Sequence, residues 1–291
     1  MQILDAHTHI FPPDVIVGRA EYAQLDRWFG LLYADPRAKM ASAEALLASM
    51  DAAGVDRAVT FGFAFRDQGL CSACNAYVLE AAARHPDRLI PLAVANPAAG
   101  EAAVRDLVDA LDRGARGIGE LMPDGQGYTL DDDAHLAPVM DLARSAERPV
   151  MVHVNEPLGH HYPGKGSQGP AEAYALATCY PANTFILSHW GGGLPFYLLM
   201  PEVRLGLANV YYDTAASLYL YEDAVFPLSA RLAPGKVLFG TDYPLIAQER
   251  FLARVREAGL TEAALRDVLG ASACALFGEA PPDGEEGSPH A

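Results

Sequence analysis

Short runs of Ile, Leu, Val and Phe recur along the chain, separated by longer stretches in which apolar residues return every three to four positions. The runs are too short for buried helices and are bounded by Gly, Pro and Asn, so they predict strands. These fall at 3–7, 57–63, 89–95, 115–121, 149–154, 184–189, 209–213 and 236–241. The intervening stretches predict helices. Over 102–113, Val104, Leu107, Val108 and Leu111 form a stripe that would lie on a sheet. Ser42 offers a cap for a helix that Gly54 stops. Further helices are predicted over 70–84, 132–147 and 171–179, after the glycine run 191–193, and within 248–277. Between Ile10 and Met40 no period is visible, and the stretch reads as irregular chain anchored by Phe11, Trp28, Phe29 and Tyr33.

Strands alternating with helices admit a closed (β/α)8 barrel or an open doubly wound sheet. The length of 291 residues is near the roughly 250 of one eight-stranded α/β barrel. With 51% apolar and 20% charged residues the chain can bury a large core. A formal charge of -16 argues against nucleic acid as a partner, since a phosphate backbone calls for a positive surface. Part of that charge lies in 279–291, rich in Pro, Gly and Glu, which reads as a disordered tail. The expected organisation is therefore a barrel over 1–278, with 10–40 a lid-like insertion. Four cysteines make no disulfide framework, and the first residues carry no signal-peptide pattern, so a cytoplasmic protein is expected. No apolar run approaches the ~20 residues of a membrane helix. Cys71 and Cys74 read as two small core residues one turn apart.

The chemistry sits in one repeated place. His7 and His9, Glu120, His153, His189 and Asp242 each stand at the carboxyl end of an apolar run. Two imidazoles spaced by two on a strand share a face and can reach one cation together. An acid such as Asp242 is costly to bury at a strand end without a cation or donors. In an open sheet these side chains would spread along an edge. Closing the sheet brings them to one centre, so the pattern favours a barrel with a divalent metal at the C-terminal face of its strands.

In Leu4-Asp-Ala-His-Thr-His, His153, Ser188-His189-Trp-Gly-Gly and Phe239-Gly-Thr-Asp-Tyr-Pro, the chain resembles the amidohydrolase superfamily. The resemblance is to its amidohydrolase-related group of metal-dependent hydrolases and aminocarboxymuconate-semialdehyde decarboxylase-like proteins. It implies that His7, His9 and Asp242 hold the principal ion. In decarboxylase-like members the residue matching His153 joins that ion and the one matching His189 acts in catalysis. In two-metal hydrolases both would hold a second ion, bridged by an acid on the fourth strand, where Glu120 stands. One or two ions are thus expected, with zinc favoured.

The expected function is a metal-dependent hydrolase in which metal-activated water attacks an amide, lactone or ester-like bond of a small molecule, with Asp242 and His189 catalytic. A metal normally lowers the pKa of bound water from ~15.7 towards ~7. The alternative is a decarboxylase or hydratase, and a third reading is an inactive ligand-binding barrel. Loops after the strands should bind substrate through Arg66, Tyr128, Asn155 and Trp190, with Arg66 the guanidinium for a carboxylate. His160, His161 and Tyr162 read as further polar residues of the loop after strand five. A homo-oligomer is admitted, the aromatic stretch of 11–33 serving as lid or subunit contact.

Overall fold

A computed structural model describes residues 1–279; the expected tail from 280 onward lies outside the described residues. Eight parallel strands follow one another: β1 (Leu4–His9), β2 (Arg57–Phe61), β3 (Leu89–Pro91), β4 (Ile118–Leu121), β5 (Val150–Val152), β6 (Phe185–Leu187), β7 (Val210–Asp213) and β8 (Val237–Leu238). They pair in sequence order as β1-β2-β3 and β4 through β8. Two seams complete the ring. Ala93 bridges to Ile118, and Thr8 bridges to Tyr243, beside bonds from Ala6 N–H to the Phe239 carbonyl at 2.6 Å and from His9 N–H to the Tyr243 carbonyl at 2.7 Å. The strand that begins the chain thus meets the one that ends the sheet, and the structure is a (β/α)8 barrel.

The strands carry two kinds of burial. Val59, Ile90, Met151, Ile186 and Leu238 belong to one cluster. Their immediate neighbours Ala58, Leu89, Val150, Phe185 and Val237 belong to another, packed on helix residues such as Leu46, Val78, Leu107 and Phe251. Alternate residues of a strand face opposite sides, and both sides are covered, which is why the runs are apolar throughout rather than alternating. Each such Val, Leu, Ile or Phe contributes about 1.5–3 kcal/mol.

The 10–40 stretch is not irregular. It holds α1 (Pro13–Val17), α2 (Arg19–Leu25) and α3 (Arg27–Tyr33), whose short lengths hide the helical period. Pro13 opens the first, and the Asp26 carboxylate caps the third by accepting from Phe29 N–H at 2.8 Å. Phe29 stacks on Phe65 with ring centroids 5.2 Å apart and meets Phe63 edge-on at 5.3 Å, fastening these helices to the segment after β2. Such pairs add about 0.5–1.5 kcal/mol each beyond burial.

The outer helices continue with α4 (Ala43–Ala53), α5 (Gln68–Arg84), α6 (Glu101–Asp112), α7 (Pro123–Gln126), α8 (Asp133–Ser145) and α9 (Pro170–Cys179). The face of α6 differs from expectation. Ala103, Leu107 and Ala110 are buried and Val108 is exposed, because close packing against neighbouring helices favours the small residues. After β6 the chain makes an irregular coil, His189–Leu199, before the short α10 (Pro201–Gly206). Then come α11 (Ser217–Leu220), α12 (Val225–Leu232), α13 (Gln248–Glu257), α14 (Glu262–Arg266) and α15 (Ser272–Phe277). Glu279, assigned to the tail from its composition, instead pairs with Arg57 and Arg116. Cys71 and Cys74 are buried and unbonded to one another. No helix among the described residues is long and apolar enough to cross a membrane.

Candidate metal centre

The six residues singled out by position meet at the carboxyl ends of the strands. They form two groups, His7, His9 and Asp242, and Glu120, His153 and His189. Nε2 of His7 lies 3.2 Å from Nε2 of His9, and these lie 3.7 and 3.4 Å from Oδ1 of Asp242. In the second group Nδ1 of His153 lies 3.1 Å from both Nε2 of His189 and Oε1 of Glu120. Glu120 faces both. Its Oε2 stands 3.8 Å from His7 and 4.0 Å from His9, while Oε1 is turned to the other pair.

Hydrogen bonds outside the groups fix which ring nitrogens are free. Nδ1 of His7 faces Oδ2 of Asp213 at 2.8 Å, and Nδ1 of His9 faces the Gly62 carbonyl at 3.4 Å. Both partners only accept, so each ring keeps a proton on Nδ1, and loss of the other proton, which metal binding requires, turns an Nε2 lone pair toward the neighbouring ring. Nδ1 of His189 likewise donates to the Ala215 carbonyl at 3.2 Å. Lone pairs 3.2 Å apart repel unless a cation lies between them. With bonds of about 2.0–2.2 Å, donors on one such ion are normally about 3–3.5 Å apart, which the His7–His9, His9–Asp242, His153–His189 and His153–Glu120 spacings match, while His7–Asp242 is slightly wider.

The electrostatics agree. Burial opposes a charge on His7, yet Asp213, Glu120 and Asp242 outweigh it and raise its pKa to about 10. Burial also works against the carboxylates. The histidines His7, His153 and His189 nevertheless hold Glu120 well below the usual range, and a bond to His9 with the charges of His7, His9 and His189 does the same for Asp242. His153 is raised despite burial, by Glu120. This surplus of negative charge in a site screened from water is what a divalent cation would neutralise.

The local backbone is bent to suit the site. His189 and Asp242 adopt left-handed φ values of 56° and 60°, where side-chain-bearing residues are uncommon. Hydrogen bonds hold both: His189 N–H donates to Asp213 Oδ1 at 2.9 Å, and Asp242 N–H to the His7 carbonyl at 3.0 Å. Asp5 fixes the residue before Asp242, accepting from Thr241 N–H at 3.0 Å and from its hydroxyl at 2.6 Å. At Gly119, with φ of 125°, a Cβ would strike the Met151 carbonyl, so the expected close approach beside Glu120 is real.

A cavity of about 760 Å³ opens over the donors, and His9, Glu120, His153, His189 and Asp242 line it. None of the four expected substrate-binding residues does. Arg66 is exposed with its guanidinium beside Gly127. Tyr128 is buried in the outer core. Asn155 ties its own loop, accepting from Gly166 N–H at 2.8 Å and donating to the Gln168 carbonyl. Trp190 is fully buried, donating to Ser217 Oγ at 2.7 Å. The left-handed turn at His189 and Trp190 sends the indole into the core. The cavity is lined instead by Tyr33, Arg37 and Lys39 from the 10–40 stretch, by His160 and Tyr162, and by Tyr219. Asp213 is the further site residue that sequence reasoning missed, although Val210-Tyr-Tyr-Asp shows the same apolar run ending in an acid.

The profile of the family described as amidohydrolase matches residues 4–278. The chain belongs to the amidohydrolase family. Among curated proteins no sequence relative is found. Solved structures match the chain over nearly its whole length. The 5-carboxyvanillate decarboxylase LigW of Sphingomonas paucimobilis is 17% identical with a TM-score of 0.78, covering 96% of this chain and 99% of its own. A 2,6-dihydroxybenzoate decarboxylase from Rhizobium is 18% identical with a TM-score of 0.70, covering 96% and 99%. The 5-carboxyvanillate decarboxylase of Novosphingobium aromaticivorans, complexed with manganese and 4-hydroxy-3-methoxy-5-nitrobenzoic acid, is 16% identical with a TM-score of 0.75, covering 95% and 96%. At these identities the likeness establishes the amidohydrolase barrel and not the reaction.

Proposed function

We propose that this amidohydrolase is a metal-dependent decarboxylase acting on a small aromatic or unsaturated carboxylic acid. The observation that carries the reading is the make-up of the cavity, lined by His9, His153, His189 and Asp242 together with Tyr33, Phe63, Tyr219 and the cation Lys39, while Arg37, also on the lining, is held by Asp35. That chamber suits a flat anionic ring presented to a metal. The full-length likeness to decarboxylases of hydroxylated benzoates supports the same choice over the hydrolase first expected from the motifs.

His7, His9, Asp242 and His153 would hold the ion, and Glu120 adjoins them. A bound divalent ion supplies orientation of the substrate oxygens and stabilisation of developing negative charge. Manganese, as in the Novosphingobium protein, is a better first choice than zinc. In the reaction the bond between ring and carboxylate breaks, carbon dioxide leaves, and the electron pair left on carbon takes a proton. Asp242, which lines the cavity beside these ligands, would accept a proton from a substrate hydroxyl or water and return it to that carbon. His189, with Nδ1 bonded to the Ala215 carbonyl and Nε2 turned to the site, positions or shuttles the same proton. The helices of 10–40 and the loop carrying His160 and Tyr162 act as the lid that excludes water.

Hydrolysis is the second reading, favoured by one feature: the two oxygens of Glu120 face different donor groups, as a bridge between two ions would. Manganese-loaded and zinc-loaded protein given carboxyl-labelled hydroxybenzoates should release labelled carbon dioxide. No release across such a panel, with turnover of lactones or amides by protein holding two ions, would replace the decarboxylase reading with the hydrolase.

A further inference from the structure

Asp213 ends β7 as a fully buried carboxylate, and its two oxygens serve different donor groups. Oδ2 faces Nδ1 of His7 at 2.8 Å. Oδ1 accepts the backbone N–H of His189 at 2.9 Å and that of Ala215 at 3.0 Å, and the Ala215 carbonyl in turn accepts from Nδ1 of His189 at 3.2 Å. We propose that Asp213 is the positioning residue that sets the tautomers of His7 and His189 and thereby readies both donor groups for metal at once.

An imidazole offers a lone pair at Nε2 only when its proton is on Nδ1, and the partner of Nδ1 decides this. For His7 that partner is Asp213 itself. For His189 it is the Ala215 carbonyl, which Asp213 aims by holding the N–H of Ala215 in its own turn and that of His189 in the segment after β6. The carboxylate is fully buried, so bulk solvent is not at hand to replace a lost contact.

The chemistry of the amide makes the idea sharp. In Asp213→Asn the single oxygen stays with the two backbone N–H groups, since these can only donate. The amide NH2 then faces Nδ1 of His7, and two donors cannot face each other. His7 must carry its proton on Nε2, which turns a ligand lone pair into an N–H aimed at His9. In Asp213→Ala both supports vanish. The asparagine variant should therefore damage the first group alone and the alanine variant both.

This inference rests on the metal reading of the site and is independent of the reaction performed there. The test is a competition titration with Mn2+ and Zn2+ against a chromophoric chelator, together with thermal unfolding of the metal-free forms. Wild type should bind, and Asp213→Asn should bind about 10–100-fold more weakly, the usual effect of losing an outer hydrogen-bond partner. Its metal-free form should still unfold cooperatively, with a midpoint lowered only by the lost pairing to His7; unchanged affinity in the folded fraction would mark a merely structural role and overturn the proposal. Nitrogen-15 histidine spectra of zinc-loaded wild type give a readout that needs no variant: His7 must carry its proton on Nδ1. A proton on Nε2, or asparagine-variant affinity within twofold of wild type, also overturns it. If wild type itself binds neither ion, the metal reading falls and this inference with it.

Discussion

Replacing Glu120 by Gln removes one negative charge from the centre of the site while keeping the shape of the side chain. Its oxygens lie 3.1 Å from His153 and 3.8 Å from His7, so any cation those rings hold is close to it. At the 3.8 Å separation a unit charge is worth about 4 kcal/mol with an effective dielectric near 20. The amide retains an oxygen dipole, so a loss of about 2–4 kcal/mol is expected, roughly 30-fold to 1000-fold in metal affinity at ~1.4 kcal/mol per decade. The assay is a Mn2+ competition titration with elemental analysis of ions per chain. If Glu120 bridges two ions, the variant drops from two to one. If one ion is held without it, the count is unchanged and only affinity falls. Affinity within threefold of wild type and an unchanged count would refute the electrostatic reasoning, because the charge would then be too well screened to matter.

Three further outcomes are expected. In the metal-free protein the His7 pKa is raised from 6.5 to about 10, so its contribution to stability is complete below 6.5 and is lost as pH rises through about 10. Thermal unfolding in chelator should show that decline, His7→Gln should lack it, and a flat wild-type profile would contradict it. Gly119→Ala forces a Cβ into the Met151 carbonyl at an unfavourable φ and should cost about 2–4 kcal/mol in urea unfolding; a change below about 1 kcal/mol would mean the strands separate freely. Lys39 lines the cavity and forms no ion pair among the described residues. Lys39→Met should raise KM for a carboxylate substrate about 3-fold to 10-fold with kcat little changed, whereas an equal loss in kcat would assign it a different role.

The barrel was legible because every strand is buried on both sides and so prints as an unbroken apolar run, and because a ligand at the end of a strand needs no knowledge of the loop beyond it. His153 stands one residue and His189 two residues past the strand before it, where the direction of the chain still decides where a side chain points. Trp190 is one residue farther, and a left-handed turn reverses it into the core. Asn155 and Tyr128 failed similarly: loop residues look available in sequence, yet these are spent on holding their own loops or filling the outer core. Asp213 carries the same visible signal, an acid ending an apolar run, yet its partners His7, on β1, and His189, after β6, are brought to it only by the fold. The helices of 10–40 escaped because five to seven residues are too few to display a period.

The seam between β1 and the segment after β8 has a consequence for biosynthesis. His7 and His9 leave the ribosome long before their companion Asp242, so the nascent chain lacks the carboxylate and the ring closure until the segment after β8 has emerged. Capture of the ion then becomes a late checkpoint, and an interrupted translation product would be released without the complete pocket that could retain it.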